Sequence, residues 1–213
     1  MIRLDIFADP VCPWCMVGKA NLDAALRANP AHPFTIEWHP FQLNPDMPAG
    51  GVDKRAHLAA LFGNAAKLDA VHDRLREVAR AAGLALNPDK PARIPNTLDA
   101  HRLIHWARLE GVQSAVVDAL FTAYWDLGRD IGAAEVLADV AASAGMDRDA
   151  VLRLLASDAD REDIAARDVD ARQKGVTAVP TYLIAQQYVV SGAQPPQVWG
   201  DVIAELTAKL AVH

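Results

Sequence analysis

From about Asp53 to about Ala156 the chain carries helical periodicity and almost no strand signal, while the residues on either side mix strand and helix patterns. So long a run of one periodicity restricts the architecture to a helical block set into, or beside, an α/β unit. Leu58, Leu61 and Phe62, then Leu68, Val71, Leu75 and Val78, recur at helical spacing before Leu84 to Pro95 breaks into a proline-containing loop. Asn96 or Thr97 can cap the next helix, whose apolar face is Ala100, Leu103, Ile104 and Ala107. Val117, Leu120, Phe121 and Tyr124 lead up to Gly128; Val136, Leu137 and Val140 lead up to Gly145; Val151, Leu154 and Leu155 follow an Asp147 cap. These stripes are the core contacts of a bundle.

The flanks read differently. Ile2 to Ala8 is apolar enough for a short buried strand, Trp14 to Leu26 reads as a helix, and Phe34 to Leu43 alternates as a second strand. Strand, helix and strand make a right-handed βαβ start. The run Asn44 to Gly51 is dense in turn residues and marks an exit from that unit. After the bundle, a helix from about Asp158 stops at Gly175, and Tyr182 to Ala185 and Tyr188 to Ser191 read as strands joined by a tight turn at Gln186-Gln187. A closing helix presents Trp199, Ile203, Leu206 and Leu210 on one side. The expected organisation is one interrupted α/β domain, residues 1–50 and 157–213, with an all-helical insertion over 51–156.

Both cysteines of the 213-residue chain lie in Asp9-Pro10-Val11-Cys12-Pro13-Trp14-Cys15, between the first strand and the first helix. Cys12 then stands at a helix N-terminus with Cys15 one turn inside, and Pro13 suits a helix start because its missing N–H would have been unpaired. Unsatisfied N–H groups and the helix dipole favour a thiolate at Cys12, the attacking sulfur. Cys15, deeper, resolves the mixed disulfide. The competing reading, half of a zinc site, needs two more ligands; no third cysteine exists, and His101 and His105 lie far from the compact finger spacing. No metal is expected.

Composition adds exclusions. A formal charge of -6 and a pI near 5.6 argue against nucleic acid or an anionic membrane as partner. No apolar run of signal-peptide length precedes Cys12, and none of about 18 residues could cross a bilayer. The expectation is a cytoplasmic protein, where a lone, closely spaced cysteine pair is catalytic rather than structural.

Cys12-Pro13-Trp14-Cys15 after the first strand, a long helical insertion, and Val179-Pro180-Thr181 before the third strand resemble the DsbA-like branch of the thioredoxin superfamily, and within it the FrnE-like oxidoreductases. The resemblance extends over Asp9 to Lys19, Pro40 to Pro45, Asn96 to Leu103, Ala123-Tyr124-Trp125, Gly175 to Leu183 and Val190 to Gln194. It implies a thioredoxin-like fold with the helical insertion described above. It also implies a cis Val179-Pro180 peptide facing the cysteines, exposing backbone to which a substrate strand pairs.

One departure concerns proton transfer. Thioredoxins proper carry a carboxylate six residues before the first cysteine, and here that position is Ile6. Asp5 and Asp9 would point elsewhere from a regular strand, so Asp9 is read as a loop cap. His101, beside the apolar stripe of its helix, is either a packing residue or a partner of the Cys12 thiolate. Trp14 is a partly exposed apolar contact for substrate.

The function expected is thiol-disulfide exchange on protein or peptide disulfides, with no bound cofactor, the electrons residing in the cysteine pair, and glutathione a candidate co-substrate. The alternative is a glutathione-dependent isomerase or transferase similar to the 2-hydroxychromene-2-carboxylate isomerase and kappa-class relatives; these typically place serine where this chain has Cys12.

Overall fold

The structure, a computed structural model, describes residues 1–211. Its centre is β1 (Ile2–Ala8), whose Leu4 and Ile6 are fully buried. An interior strand must pair on both edges. β1 runs parallel to β2 (Phe34–Pro40), with Ile2 opposite Phe34 and Ala8 opposite Pro40. Between them runs α1 (Pro13–Ala28), the crossover that a parallel pair requires.

The insertion opens with the two-residue strand β3 (Val52–Asp53), then α2 (Lys54–Phe62), α3 (Ala65–Ala81) and a second short strand, β4 (Arg93–Ile94). It continues with α4 (Leu98–Leu109), α5 (Gln113–Phe121), α6 (Ala134–Ser143) and α7 (Arg148–Leu155). The chain returns through α8 (Arg161–Gln173), β5 (Thr181–Ile184), β6 (Tyr188–Ser191) and α9 (Pro196–Ala211). β5 pairs antiparallel with β1, Leu4 opposite Ile184 and Phe7 opposite Thr181, and β6 pairs antiparallel with β5, giving the sheet order β2-β1-β5-β6. α1 packs against α9, while β2 receives α4, α5 and α8. Arg102, fully buried on α4, ties α7 to α8 by donating to the carbonyls of Leu154, Ser157 and Ala159 at 2.7 to 2.8 Å.

Several sequence expectations shift for local reasons. β2 stops at Pro40 rather than Leu43, because the next amides bond to side chains: Gln42 N–H to Asp168 and Leu43 N–H to Asp9, both at 2.7 Å. The insertion contains the β3–β4 ladder, Val52 opposite Ile94, too short to produce an alternating pattern. At the N-terminus of α4 the capping position belongs to Thr97, but the side chain that accepts the Leu98 N–H is Asn96, at 2.9 Å. The pattern ending at Gly128 is not one α-helix; α5 ends at Phe121 and widens into a π-helical turn, Thr122–Asp126. The β5–β6 reversal falls at Ala185-Gln186, one residue early, both with left-handed φ of 53° and 59°.

The buried apolar core is continuous across the two expected units. Leu75 and Ala79 of α3 and Leu103 of α4 belong to the same cluster as Leu4 of β1, Val17 of α1 and Trp199 of α9.

Candidate active site

β1 delivers the chain to Asp9, and a turn closed by Cys12 N–H on the Asp9 carbonyl at 2.9 Å sets Cys12 at the N-cap of α1. Pro13 occupies the first helical turn. Cys15 N–H bonds back to the Cys12 carbonyl at 3.1 Å, so the two cysteines share one turn. Both are free thiols and both are buried, Cys12 at 3% and Cys15 at 1% exposure. Burial of Cys12 does not isolate it, since it lines a cavity of about 400 Å³.

Opposite Cys12 lies the loop before β5. The Val179-Pro180 peptide is cis, and the Cys12 thiol donates to the Val179 carbonyl at 3.7 Å. α1 reaches this loop closely because residue 18 is glycine: a Cβ there would stand 2.5 Å from the Tyr182 hydroxyl and 2.9 Å from Pro180 Cγ. Tyr182 is held edge-on to Trp199, ring centroids 4.6 Å apart, and its burial raises its pKa strongly. The cis loop is thereby seated on packed aromatic side chains.

The insertion supplies the far wall. Leu58 and Phe62 of α2, Leu75 of α3 and Trp125 of the π-helical turn line the cavity with Trp14 and Val179. Trp125 also donates its indole N–H to the Pro10 carbonyl at 3.1 Å, linking the insertion to the cysteine loop. Trp14, 38% exposed, lines the same cavity. Lys54 is the unexpected lining residue. Its ammonium stands 4.5 Å over the Trp125 ring and donates to the Pro88 carbonyl, and burial lowers its pKa to about 8.

Behind the cysteines lies a second buried group. Asp9, 1% exposed, accepts from Leu43 N–H at 2.7 Å and Val11 N–H at 3.3 Å, which makes it a loop cap. Burial nevertheless raises its pKa to about 7, against the pull of those amides and of Thr97. The strand-alternation argument that aimed it away from the cysteines fails because β1 has ended at Ala8. The Asp9 amide approaches the Cys15 sulfur and favours its thiolate. Burial chiefly, then the neighbouring Cys12, raise the Cys15 thiol well above the usual range; the Asp9 amide opposes that shift and the Asp9 charge adds to it.

His101 faces Asp9, Nε2 to Oδ1 at 3.9 Å, and neither ring nitrogen has a hydrogen-bond partner. Burial lowers its pKa to about 4, although Asp168 and a close approach of the Phe41 backbone, short of a hydrogen bond, favour the charged ring. His101 is not among the residues lining the Cys12 cavity. The structure therefore sets it behind Asp9 rather than beside the attacking sulfur. His105, one turn on, approaches Arg167 at 3.5 Å instead.

Asp5, Glu37 and His39 also gather, from β1 and β2. The His39 ring contacts Asp5 Oδ1 at 2.6 Å, Arg3 bonds the same oxygen and Arg108 approaches Glu37, which is the arrangement of an ion-pair cluster. No motif or periodicity in the sequence singles out Lys54. Trp125 does carry a signal, standing in the matched segment Ala123-Tyr124-Trp125.

The site is thus an apolar cleft over a CxxC turn, faced by a proline loop, on a thioredoxin-like scaffold. The chain belongs to the DSBA-like thioredoxin domain family, whose model matches residues 3–204. A probable DsbA oxidoreductase from Streptomyces coelicolor is 32% identical, the match covering 96% of this chain and 89% of that one with a TM-score of 0.86. The uncharacterized protein YwbO of Bacillus subtilis is 24% identical over 96% of both chains. In fold, the cytosolic disulfide reductase DsbM from Pseudomonas aeruginosa is also similar: 19% identity, 99% of this chain and 100% of that one, TM-score 0.70, and it has been solved with GSH as well. Among the described residues no helix is long and apolar enough to cross a membrane.

Proposed function

We propose that this protein is a FrnE-like, cytoplasmic thiol-disulfide oxidoreductase acting on protein or peptide disulfides, with Cys12 as nucleophile and Cys15 as resolving thiol. The observation that carries the reading is the placement of Cys12: at the N-cap of α1, on the cavity wall, beside the Val179 carbonyl. A substrate disulfide entering the cavity meets Cys12 first, while Trp14 and the α2–α3 side chains hold its apolar flank. The Val179 carbonyl offers a backbone acceptor for an extended substrate strand in line with that sulfur. Cys12 attacks one substrate sulfur and forms a mixed disulfide; Cys15 then attacks Cys12 and releases the second substrate thiol. Pro13 and Trp14 shape the ring between the cysteines, and no bound cofactor enters the cycle. Glutathione is the small thiol proposed to regenerate the pair, in keeping with the GSH complex of DsbM, and that protein's cytosolic setting supports the location proposed here.

Redox titration in glutathione buffers, with alkylation and mass measurement of each cysteine, tests the reading. A reversible two-electron Cys12–Cys15 couple is expected. Cys12→Ser should lower turnover of a peptide disulfide by roughly 10³-fold or more, and Cys15→Ser should accumulate the mixed disulfide. Glutathione-dependent turnover that survives Cys12→Ser would instead place the protein with the isomerases and transferases.

A further inference from the structure

We propose that His72, oriented by Asp89, is a catalytic base on the cavity wall that takes the proton from the thiol entering to reduce the Cys12–Cys15 disulfide. The inference rests on the oxidoreductase reading and deepens it by assigning the residue that activates the incoming thiol.

A thiol with an ordinary pKa of about 8.5 is mostly protonated at neutral pH, and an apolar cavity raises that value further. Only the thiolate attacks sulfur, so a base is needed where the thiol enters. α3 puts His72 on its apolar stripe, between buried Leu68 and Leu75, with 6% exposure, and there it borders the same cavity as Cys12. Its Nδ1 meets Asp89 Oδ1 at 3.0 Å, so the neutral ring donates Nδ1–H to the carboxylate and carries its free lone pair on Nε2. Nε2 has no hydrogen-bond partner among the described residues and is not sealed from solvent, which leaves it open to the space the ring borders. Asp89 is fixed in turn: Arg76 pairs with its other oxygen, and its own N–H donates to Asn87 Oδ1 at 3.0 Å. A carboxylate so held sets the tautomer and steadies the imidazolium that forms. Other proton-bearing groups on the wall are engaged elsewhere, Lys54 Nζ with the Pro88 carbonyl and the Tyr124 hydroxyl with the Arg93 carbonyl. The charged groups facing His72 are Asp89 from the loop after α3, Lys54 from α2 and Arg76 from α3 itself. Burial, assisted by the two cations, outweighs Asp89 and holds the ring below its ordinary pKa, so it stands neutral and ready to accept.

The incoming thiol gives its S–H proton to His72 Nε2. Its sulfur bonds to Cys12 Sγ, the Cys12–Cys15 bond breaks, and the electron pair stays on Cys15, which takes a proton from solvent. A second thiol, losing its proton to solvent, attacks the sulfur of the first; their disulfide leaves, and Cys12 departs as a thiolate to which His72 returns the stored proton. Two thiols have been oxidised to one disulfide and the enzyme disulfide has been reduced to the dithiol, with no other oxidant involved.

Reduction of the oxidised full-length protein by excess dithiothreitol, followed by rapid-quench alkylation from about pH 5.5 to 10, tests this. The second thiol of dithiothreitol closes its ring quickly, so the first attack on Cys12 sets the rate. With His72 as base, the wild-type rate should stay level between the pKa of the imidazole and that of the thiol. His72→Gln leaves only free thiolate to attack: its rate should climb about tenfold per pH unit over that range, lie about 10-fold or more below wild type at neutral pH, and meet the wild-type rate above the thiol's pKa. The bond to Asp89 also ties α3 to the loop that follows it, and loss of that tie alone would slow the attack equally at every pH. A wild-type to His72→Gln ratio that is constant across pH, or equal to one, therefore overturns the proposal. Should the variant not fold, the wild-type profile decides, a level stretch being expected and a rate that climbs about tenfold per unit up to the thiol's pKa being disproof. Failure to form any Cys12–Cys15 disulfide on oxidation would instead remove the oxidoreductase reading itself, and the role of His72 with it.

Discussion

Asp9 and His101 illustrate how two buried groups can mask each other. Folded Asp9 keeps its proton up to about pH 7, whereas the unfolded carboxylate has released it by about 4. Its contribution to stability is thus present at low pH and falls by about 4 kcal/mol as pH rises through that window. Folded His101 is neutral above about pH 4, while the unfolded ring holds its proton to about 6.5. Its contribution is present at high pH and falls by about 3 kcal/mol as pH drops through nearly the same window. The two slopes oppose, so the pair leaves little net pH dependence between pH 4 and 7. Removing one member should expose the other: Asp9→Asn gives a stability that rises with pH, and His101→Leu gives one that falls. Urea unfolding at half-unit pH steps reads both, and parallel curves for the two variants would rule out the masking. His101→Leu should also be tolerated at neutral pH, since it replaces two unsatisfied buried nitrogens with an apolar side chain.

At the scale of elements, α1 decides the site because it carries both cysteines and touches the proline loop. Gly18→Ala should act there, as the new Cβ would press on Pro180 and Tyr182 at distances below any normal contact. A loss of about 1 to 3 kcal/mol is expected, together with lower turnover from a displaced Val179 carbonyl. Unchanged turnover in Gly18→Ala would mean that the loop position does not matter to catalysis. The elements themselves were largely legible: β1, α1, the helical block and the β5–β6 hairpin follow from apolar periodicity and from residues such as Asp147, whose side chain caps α7 through Ala150 N–H at 2.8 Å. What periodicity does not encode is where a ladder gives way to side-chain acceptors, as after Pro40, or where α5 loosens into the π-helical turn that aims Trp125 at the cysteine loop. The site divides the same way. Cys12, Trp14 and Pro180 stand out by local motif, while Lys54 and the Asp9–His101 approach exist only because residues far apart in sequence are brought together by packing.

Over the whole molecule, the insertion is a wall of the site rather than an appendage. Lys54 sets the only lysine ammonium among the cavity-lining residues in a mostly apolar surface that also carries Asn44, His57, His72 and Thr177. Lys54→Met should therefore raise KM several-fold for a carboxylate-bearing disulfide such as oxidised glutathione and leave an uncharged apolar peptide disulfide nearly unaffected; equal effects on both would assign Lys54 to packing alone. The bond from Trp125 to Pro10 and the continuous core make a stronger statement about folding, because neither unit can lose its packing without stripping apolar surface from the other. Leu120 tests it from a distance, being fully buried on α5 and absent from the cavity wall. Leu120→Ala should destabilise by about 2 to 5 kcal/mol. If the core is one cooperative unit, native-state hydrogen exchange must report that loss equally in the amides of α5 and in those of β1, through a single unfolding transition. Faster exchange confined to the insertion, with β1 unchanged, would show two units that merely touch, and the cavity between them would then open without global unfolding.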